Sequence, residues 1–554
     1  MKPQAHAAVK EYALRAHPWA NTTRRFSPDP FSFGKKDANP STIFCRAAAC
    51  SCVTRKFVPR AHRRIMDRKN WRPAVPSLIV AFLLALCPVA QSQDLLWAKR
   101  AGGLGFAEGR GMAVDVAGNS YVTGLFNGSA IFGPGEANET MLTSAGGSTI
   151  LNIFVAQYDT DGLLVWAKRA GGSTHARGLG IAVDVAGNSY VTGFFEGSAT
   201  FGPGEPNETM LTSFGNSDVF VARYDNTGLL VWAKRAGGLR LVQGVGIAVD
   251  EVGNSYVTGL FQGLATFGLG EANETTLTAD SGGANTFLAK YDTAGLLVWA
   301  RRAGGFGLGP NDDGGVGIAV DAAGNSYVTG SVQEGATTLN IFVAEYDTAG
   351  LLVWSKRASG SLFVQGYGIA VDGAGNSHVT GLFKGSATFG SGEANETKLT
   401  SASGLSDIFV AEYDASGLLV WAKRAGGPGS GSEGDSIAVD GAGNSYVTGL
   451  FYSSATFGPG EANETTLTSA GGDTNPNIFV AKYDTAGLLA WARRAGGSGL
   501  DEGRGIAVDA VGISYVAGFF QGSATFGPGE ASETTLTSFG NGDVFVAKYG
   551  GGSP

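Results

Sequence analysis

An all-β fold, a seven-bladed β-propeller of four-stranded antiparallel blades, is what this sequence predicts, and three observations predict it. One unit of about 70 residues recurs seven times across residues 94–549. Each copy holds four short segments rich in β-branched and aromatic residues and bounded by Gly and Asp. The copies are also out of phase with the chain, because the segment that ends each repeat stands alone at the start.

The first strand of each repeat is GIAVD-like, ending at Asp115, Asp184, Asp250, Asp321, Asp372, Asp440 and Asp509. The second is SYVTGLF. A D-x-x-G-N turn such as Asp184 to Asn188 joins them, since Asp bonds the backbone ahead of it and Gly accepts a left-handed conformation. The third strand is IFVAKYD, with Tyr158, Tyr224, Tyr291, Tyr346, Tyr413, Tyr483 and Tyr549. The fourth is LLVWAKR, with Trp166, Trp232, Trp299, Trp354, Trp421 and Trp491. These strands are apolar on both faces, as strands packed between neighbouring sheets must be.

The ends set the architecture. The last repeat stops after its third strand, Phe545 to Tyr549, while a lone fourth strand, Leu95 to Arg100 around Trp97, opens the repeat region. Paired, the two complete the seventh blade and close a ring. An open array would instead leave an unpaired sheet edge at each end.

The repeat GIAVDxAGNSYVTG…FVAKYDxxGLLVWAKR resembles the SBBP repeat, a bacterial seven-bladed β-propeller family of secreted or surface proteins, over roughly residues 94–549. The resemblance implies a propeller fold and an extracellular setting. It implies no single activity, because the family carries no catalytic motif that transfers to residues of this chain.

Charge is unevenly placed. Residues 1–92 hold 16 Lys and Arg against 4 Asp and Glu, whereas residues 93–554 hold 24 against 44. So acidic a body repels phosphate backbones and anionic membranes, which argues against a nucleic-acid partner. Residues 66–92 have the basic start, apolar core and small-x-small end (Ala90 to Ser92) of a signal peptide, with cleavage expected after Ser92. An uncleaved anchor, or lipid attachment at Cys87, is the alternative. Residues 1–65 are expected to be an unstructured extension, or a mis-assigned start with Met66 as initiator. All four cysteines (Cys45, Cys50, Cys52, Cys87) precede Ser92, so residues 93–554 are expected to be a thiol-free, secreted or cell-surface propeller with no membrane span.

No catalytic constellation can be assembled from residue types and spacing. The D-x-x-G-N loops offer one carboxylate and one amide each, which suits turn formation better than calcium binding. No cofactor is expected, with scattered Ca²⁺ the weak exception. The repeated aromatics fit core packing better than a carbohydrate platform. His378 replaces a strand tyrosine and is expected to be structural; His175 lies in a loop. The FGPGEANET phrase, present in six repeats and missing from the fourth, reads as turn residues with Asn-x-Thr at Asn138, Asn207, Asn273, Asn395 and Asn463.

Near-identical repeats differ chiefly in the connection from fourth strand to first, and loops on a rigid scaffold often carry function. The residues expected to bind a ligand there are Arg110, His175, Arg177, Arg240, Gln243, Asp312, Asp313, Asp501 and Arg504. The leading functional expectation is a monomeric, non-catalytic scaffold for a protein or glycan. Alternatives are an extracellular lyase or glycoside hydrolase with a carboxylate/His site at the channel mouth, and a structural surface-layer component.

Overall fold

A computed structural model describes residues 93–280, 283–303, 317–334, 338–429 and 431–551. The chain divides into two units, Met1–Leu84 and Ala85–Pro554, and every described residue belongs to the second. The expected signal peptide and N-terminal extension lie outside the described residues.

The described residues are all-β, and their strands pair as four-stranded antiparallel sheets of the kind a β-propeller contains. In the first repeat the order is Ala107–Val114, Ser120–Phe126, Asn152–Tyr158 and Leu164–Ala170, each strand bonded to the next. The second and third strands are buried along their whole length, which is why both faces are apolar. The last sheet takes three strands from the chain's end, Asp501–Val508, Ser514–Phe520 and Asp543–Gly551. Its fourth is Gln93–Ala101, antiparallel to Asp543–Gly551 with Ala98 facing Ala547.

Contacts between sheets repeat with the sequence. The tyrosine of SYVTG is buried and places its hydroxyl against the glycine carbonyl of the next repeat's D-x-x-G-N turn. Tyr121 reaches Gly187 at 3.2 Å, Tyr190 reaches Gly253 at 3.1 Å and Tyr446 reaches Gly512 at 3.1 Å. Tyr515 of the last repeat makes the same contact with Gly118 of the first, at 3.1 Å. Each first strand packs on the first strand of the following sheet, and Asp501–Val508 packs on Ala107–Val114. The turn aspartates are occupied locally: Asp115 accepts the Ala117 and Asn119 amides at 2.9 Å. His378 is buried, with Nδ1 2.9 Å from Ser445 Oγ and its ring edge-on to Trp421.

The FGPGE phrase builds more than a turn. Ser129–Phe132 and Thr140–Thr143 on either side of it pair as a small hairpin that sinks Ala130, Phe132 and Leu142 and leaves Ser129, Met141 and Thr143 outward. Its glutamate is a clamp. One carboxylate oxygen accepts the backbone N–H of the leucine that opens the same repeat's outer strand, at 2.5–2.7 Å in all six copies. The other pairs with a Lys or Arg on the preceding repeat's outer strand, at 2.8–3.6 Å. The Asn-x-Thr asparagines are tied in too: Asn138 Nδ2 donates to the Leu164 carbonyl at 3.0 Å, and Asn207, Asn273, Asn395 and Asn463 make the equivalent bond.

Removing one clamp should therefore loosen one seam. Glu461→Ala leaves the Leu489 amide and Lys423 without their acceptor and is expected to lower unfolding free energy by about 1–3 kcal/mol. Urea titration measures the loss, and hydrogen exchange should quicken first at Leu489.

Candidate ligand-binding site

The first strand of each repeat contains a Gly-x-Gly or Gly-x-Ser step, and the pairing register slips there. Gly109 faces Gly124 and Gly111 faces Thr123, so Arg110 is the extra residue of a β-bulge. The same slip isolates Leu179, Val245, Tyr367, Asp435 and Arg504 in their sheets. Close approach explains the glycines. A Cβ on Gly178 would stand 2.4 Å from Thr123 Oγ1, and one on Gly180 would stand 2.8 Å from the Val245 carbonyl. The glycines are thus held by packing against the neighbouring sheets, whereas the bulge residue and the residue before the first glycine differ from repeat to repeat.

The bulge residues meet. A cavity of about 470 Å³ is lined by the first strands of all the sheets, with Arg110, Leu179, Val245, Tyr367, Asp435 and Arg504 among its walls. Two residues further along each strand stand Met112, Ile181, Ile247, Ile318, Ile369, Ile437 and Ile506, an apolar belt. Above the belt the chemistry is lopsided. The sixth, seventh and first repeats supply Glu433, Asp435, Arg504 and Arg110, and the second and third supply Leu179 and Val245. Tyr367 of the fifth donates from its hydroxyl to Gln365 Oε1 at 3.1 Å.

In the charged arc Arg110 Nε lies 2.8 Å from Glu108 Oε1. Arg504 Nε lies 3.5 Å from the same oxygen, and its Nη1 3.5 Å from Asp435 Oδ2. Arg504 Nη2 also donates to Glu502 Oε2. Burial works against the Arg504 charge, but Asp435, Glu502 and Glu108 outweigh it and raise its pKa. Burial pushes Asp435 up to about 8; Arg504 opposes that shift while Glu433 and Glu502 add to it. Glu433 is raised as well, by burial first and Glu502 second, with Arg504 opposing. The upward shift favours the protonated carboxyl of Asp435, a form able to donate as well as accept a hydrogen bond.

Of the residues expected from the sequence, Arg110, Gln243 and Arg504 line this cavity. Arg177 stands on the first strand of the second sheet with its guanidinium 5.5 Å from the Phe194 ring centroid. His175 Nδ1 accepts the Leu151 amide at 3.2 Å. Arg240 is exposed on its loop. Asp501 is fully buried, accepting the Gly497 amide at 2.6 Å and the Asn477 side-chain amide at 3.2 Å, and burial raises its pKa to about 6. Asp312 and Asp313 lie outside the described residues. Glu108, Glu433, Asp435, Glu502 and Tyr367 were not anticipated; their signal is the changing middle residue of the Gly-x-Gly or Gly-x-Ser step for Tyr367 and Asp435, and the changing residue just before its first glycine for Glu108, Glu433 and Glu502, visible once the repeats are stacked by register. Among the described residues no group of three or more His, Cys, Asp or Glu is arranged to hold a metal ion, and no helix is long and apolar enough to cross a membrane.

Two segments, 231–260 and 420–450, match the SBBP beta-propeller repeat model. Two stretches of the chain thus match the SBBP repeat. Each matched segment runs from an outer strand through the following bulged strand into the next, so the SBBP match spans the junction that shapes the cavity wall. An uncharacterized WD repeat-containing protein, L264, of Acanthamoeba polyphaga mimivirus is 21% identical over 83% of this chain, and the chain spans 39% of that relative's length. A solved gluconolactonase structure from Xanthomonas campestris is 14% identical over 63% of this chain and 95% of its own, with a TM-score of 0.28.

The raised carboxyl gives a signed pH dependence. A group whose pKa rises from about 4 unfolded to about 8 folded binds its proton more tightly in the native state, so its contribution is complete below pH 4 and lost as pH climbs to about 8. Stability should therefore fall across that window. Asp435→Asn, which mimics the neutral form, should make the fall shallower, leaving the contributions of the other carboxyls that burial raises, Glu433, Asp407, Asp543 and Asp501 among them. Urea midpoints of both proteins from pH 4 to 9 measure this.

Proposed function

We propose that the sheets are the blades of one closed seven-bladed ring, that the protein is exported to the cell exterior, and that it acts as a non-catalytic scaffold binding a glycan in the shared cavity. The observation that carries this reading is the convergence of the bulge residues. Among otherwise near-identical repeats, the bulge position and the position two residues before it differ in chemistry from sheet to sheet, and residues from both line a single cavity. Closure is supported by Gln93–Ala101 completing the last sheet and by the Tyr515–Gly118 contact matching those between consecutive repeats. Export is supported by the signal-peptide pattern of residues 66–92, by the absence of cysteine after Cys87, and by the acidity of residues 93–554.

A glycan fits the lining. Its hydroxyls both give and take hydrogen bonds, and the charged arc offers arginine donors beside carboxylate acceptors. Its ring also presents an apolar C–H face, for which Leu179, Val245 and the Tyr367 ring provide a wall. The cavity volume suits one or two sugar rings.

One observation favours a second reading, an enzyme acting on the same class of ligand. A carboxyl raised to about 8 beside Glu433 and Glu502 has the protonation behaviour of a general acid. Chromogenic glycosides and uronide polymers separate the two. Turnover abolished by Asp435→Asn would establish the enzyme, and saturable binding without turnover the scaffold.

Thermal shift of the full chain against a glycan panel tests the leading reading, since a ligand at 100 times its Kd adds about 2.7 kcal/mol. Val245→Trp, which fills the apolar side of the cavity, is expected to abolish the shift, and Arg240→Ala on the exposed loop to preserve it. A shift that survives Val245→Trp places the ligand elsewhere.

A further inference from the structure

The fourth repeat lacks what the other six have. Its second and third strands, Ser326–Glu334 and Thr338–Tyr346, pair continuously out to Glu334 and Thr338, and no FGPGE hairpin folds over its outer strand Leu352–Gly360. The seat for such a hairpin is nevertheless present. Leu352, which opens the outer strand, is 56% exposed, whereas Leu95, Leu164, Leu230, Leu297, Leu419 and Leu489 are 1–2% exposed beneath their hairpins. Leu351 and Val353 on either side are 59% and 55% exposed.

The electrostatic half is present too. Arg301, on the third repeat's outer strand, occupies the position of Lys99, Lys168 and Lys234, each paired with the clamp glutamate of the following repeat. Among the described residues Arg301 has no carboxylate partner, and it turns to the Ala300 and Ala349 carbonyls at 3.1 and 3.4 Å. In the other repeats the hairpin phenylalanine packs on the third-strand phenylalanine at 4.9–5.1 Å between centroids. Among the described residues Phe342 has no such ring against it, and its exposure is 7% where its counterparts have 0–1%. Among the described residues, an acceptor side chain for the Leu352 amide, a carboxylate for Arg301 and a hairpin ring for Phe342 are thus missing together, as one hairpin would supply them together.

We propose that this edge is a docking site for another polypeptide presenting an exposed hairpin of the same chemistry: an aromatic residue, a glycine turn, and a glutamate four residues after the aromatic. Six repeats define that occupant, spacing included, since Phe132 precedes Glu136 as Phe457 precedes Glu461. A second copy of this chain is a poor source, because its own six hairpins are already seated with buried phenylalanines. The surface is separate from the cavity, and the proposal stands whether or not a glycan binds there.

The probe is a fluorescent peptide of sequence 454–468, closed at its ends by an added disulfide, titrated with the full chain and read by anisotropy. Saturable binding is expected. Arg301→Glu in the protein should weaken it at least tenfold, and a peptide carrying Glu461→Lys should recover affinity for that variant. Arg301 is only half-buried, so the variant is expected to fold, which circular dichroism checks. Absence of binding at millimolar protein, equal binding to both proteins, or failure of the charge swap to recover affinity would each overturn the proposal.

Discussion

The pairing of Gln93–Ala101 with Asp543–Gly551 is the contact on which the rest of the molecule rests. It joins residues more than four hundred positions apart, at the loop-closure cost that so distant a contact carries. What offsets that cost is burial. Leu95 and Ala98 pack with Phe545, Ala547 and Tyr549 in one apolar cluster, and Glu530 accepts the Leu95 amide. The pairing also builds the charged arc. Glu108 and Arg110 come from the first repeat, Glu502 and Arg504 from the last, and the Arg504–Glu108 contact forms only if those two repeats are neighbours. The charged arc is thus assembled where the sheets of the first and last repeats meet.

The repeats divide labour between seams and cavity. Tyrosine hydroxyls on turn carbonyls, clamp glutamates on outer-strand amides and glycines at close approaches recur with little change, because each answers the same packing problem between one sheet and the next. The bulge answers none of these and points inward, so substitution there alters the lining without touching a seam. The result is a scaffold on which the first, sixth and seventh repeats have become charged while the second and third remained aliphatic. Where the fourth repeat departs from the pattern, it departs at the rim, and the change exposes a seam in place of altering the cavity.

Much of this was legible in the residues. The strand order, the turn chemistry and the pairing of the orphan Leu95 to Arg100 segment with the last repeat follow from seven copies of one phrase, because a repeated pattern can satisfy its buried backbone in few ways. Arg110, Gln243 and Arg504 stood out as differences among copies. Glu433 and Asp435 did not, since they follow a bland Gly/Ser/Pro loop and acquire their character only beside Arg504, a neighbour in space that is distant in sequence. Asp501 shows the opposite: it reads as a loop carboxylate but is buried under amides from Gly497 and Asn477. The hairpin around FGPGE was obscured because its glycines and proline signal a turn more loudly than its four-residue strands signal pairing.

The most direct test of the account is a cross-link across the junction of the two ends. Ala98 faces Ala547 in the register of the closing pair, and the four native cysteines all lie before residue 93, so they can be replaced by serine without touching the repeats. In that background, Ala98→Cys with Ala547→Cys should oxidise to a disulfide within one chain, seen by mass spectrometry of the non-reduced digest, and should raise the urea midpoint through a stabilisation of up to about 5 kcal/mol. Thiols that stay reduced, or that join two chains in place of one, would contradict closure and with it the cavity built on it.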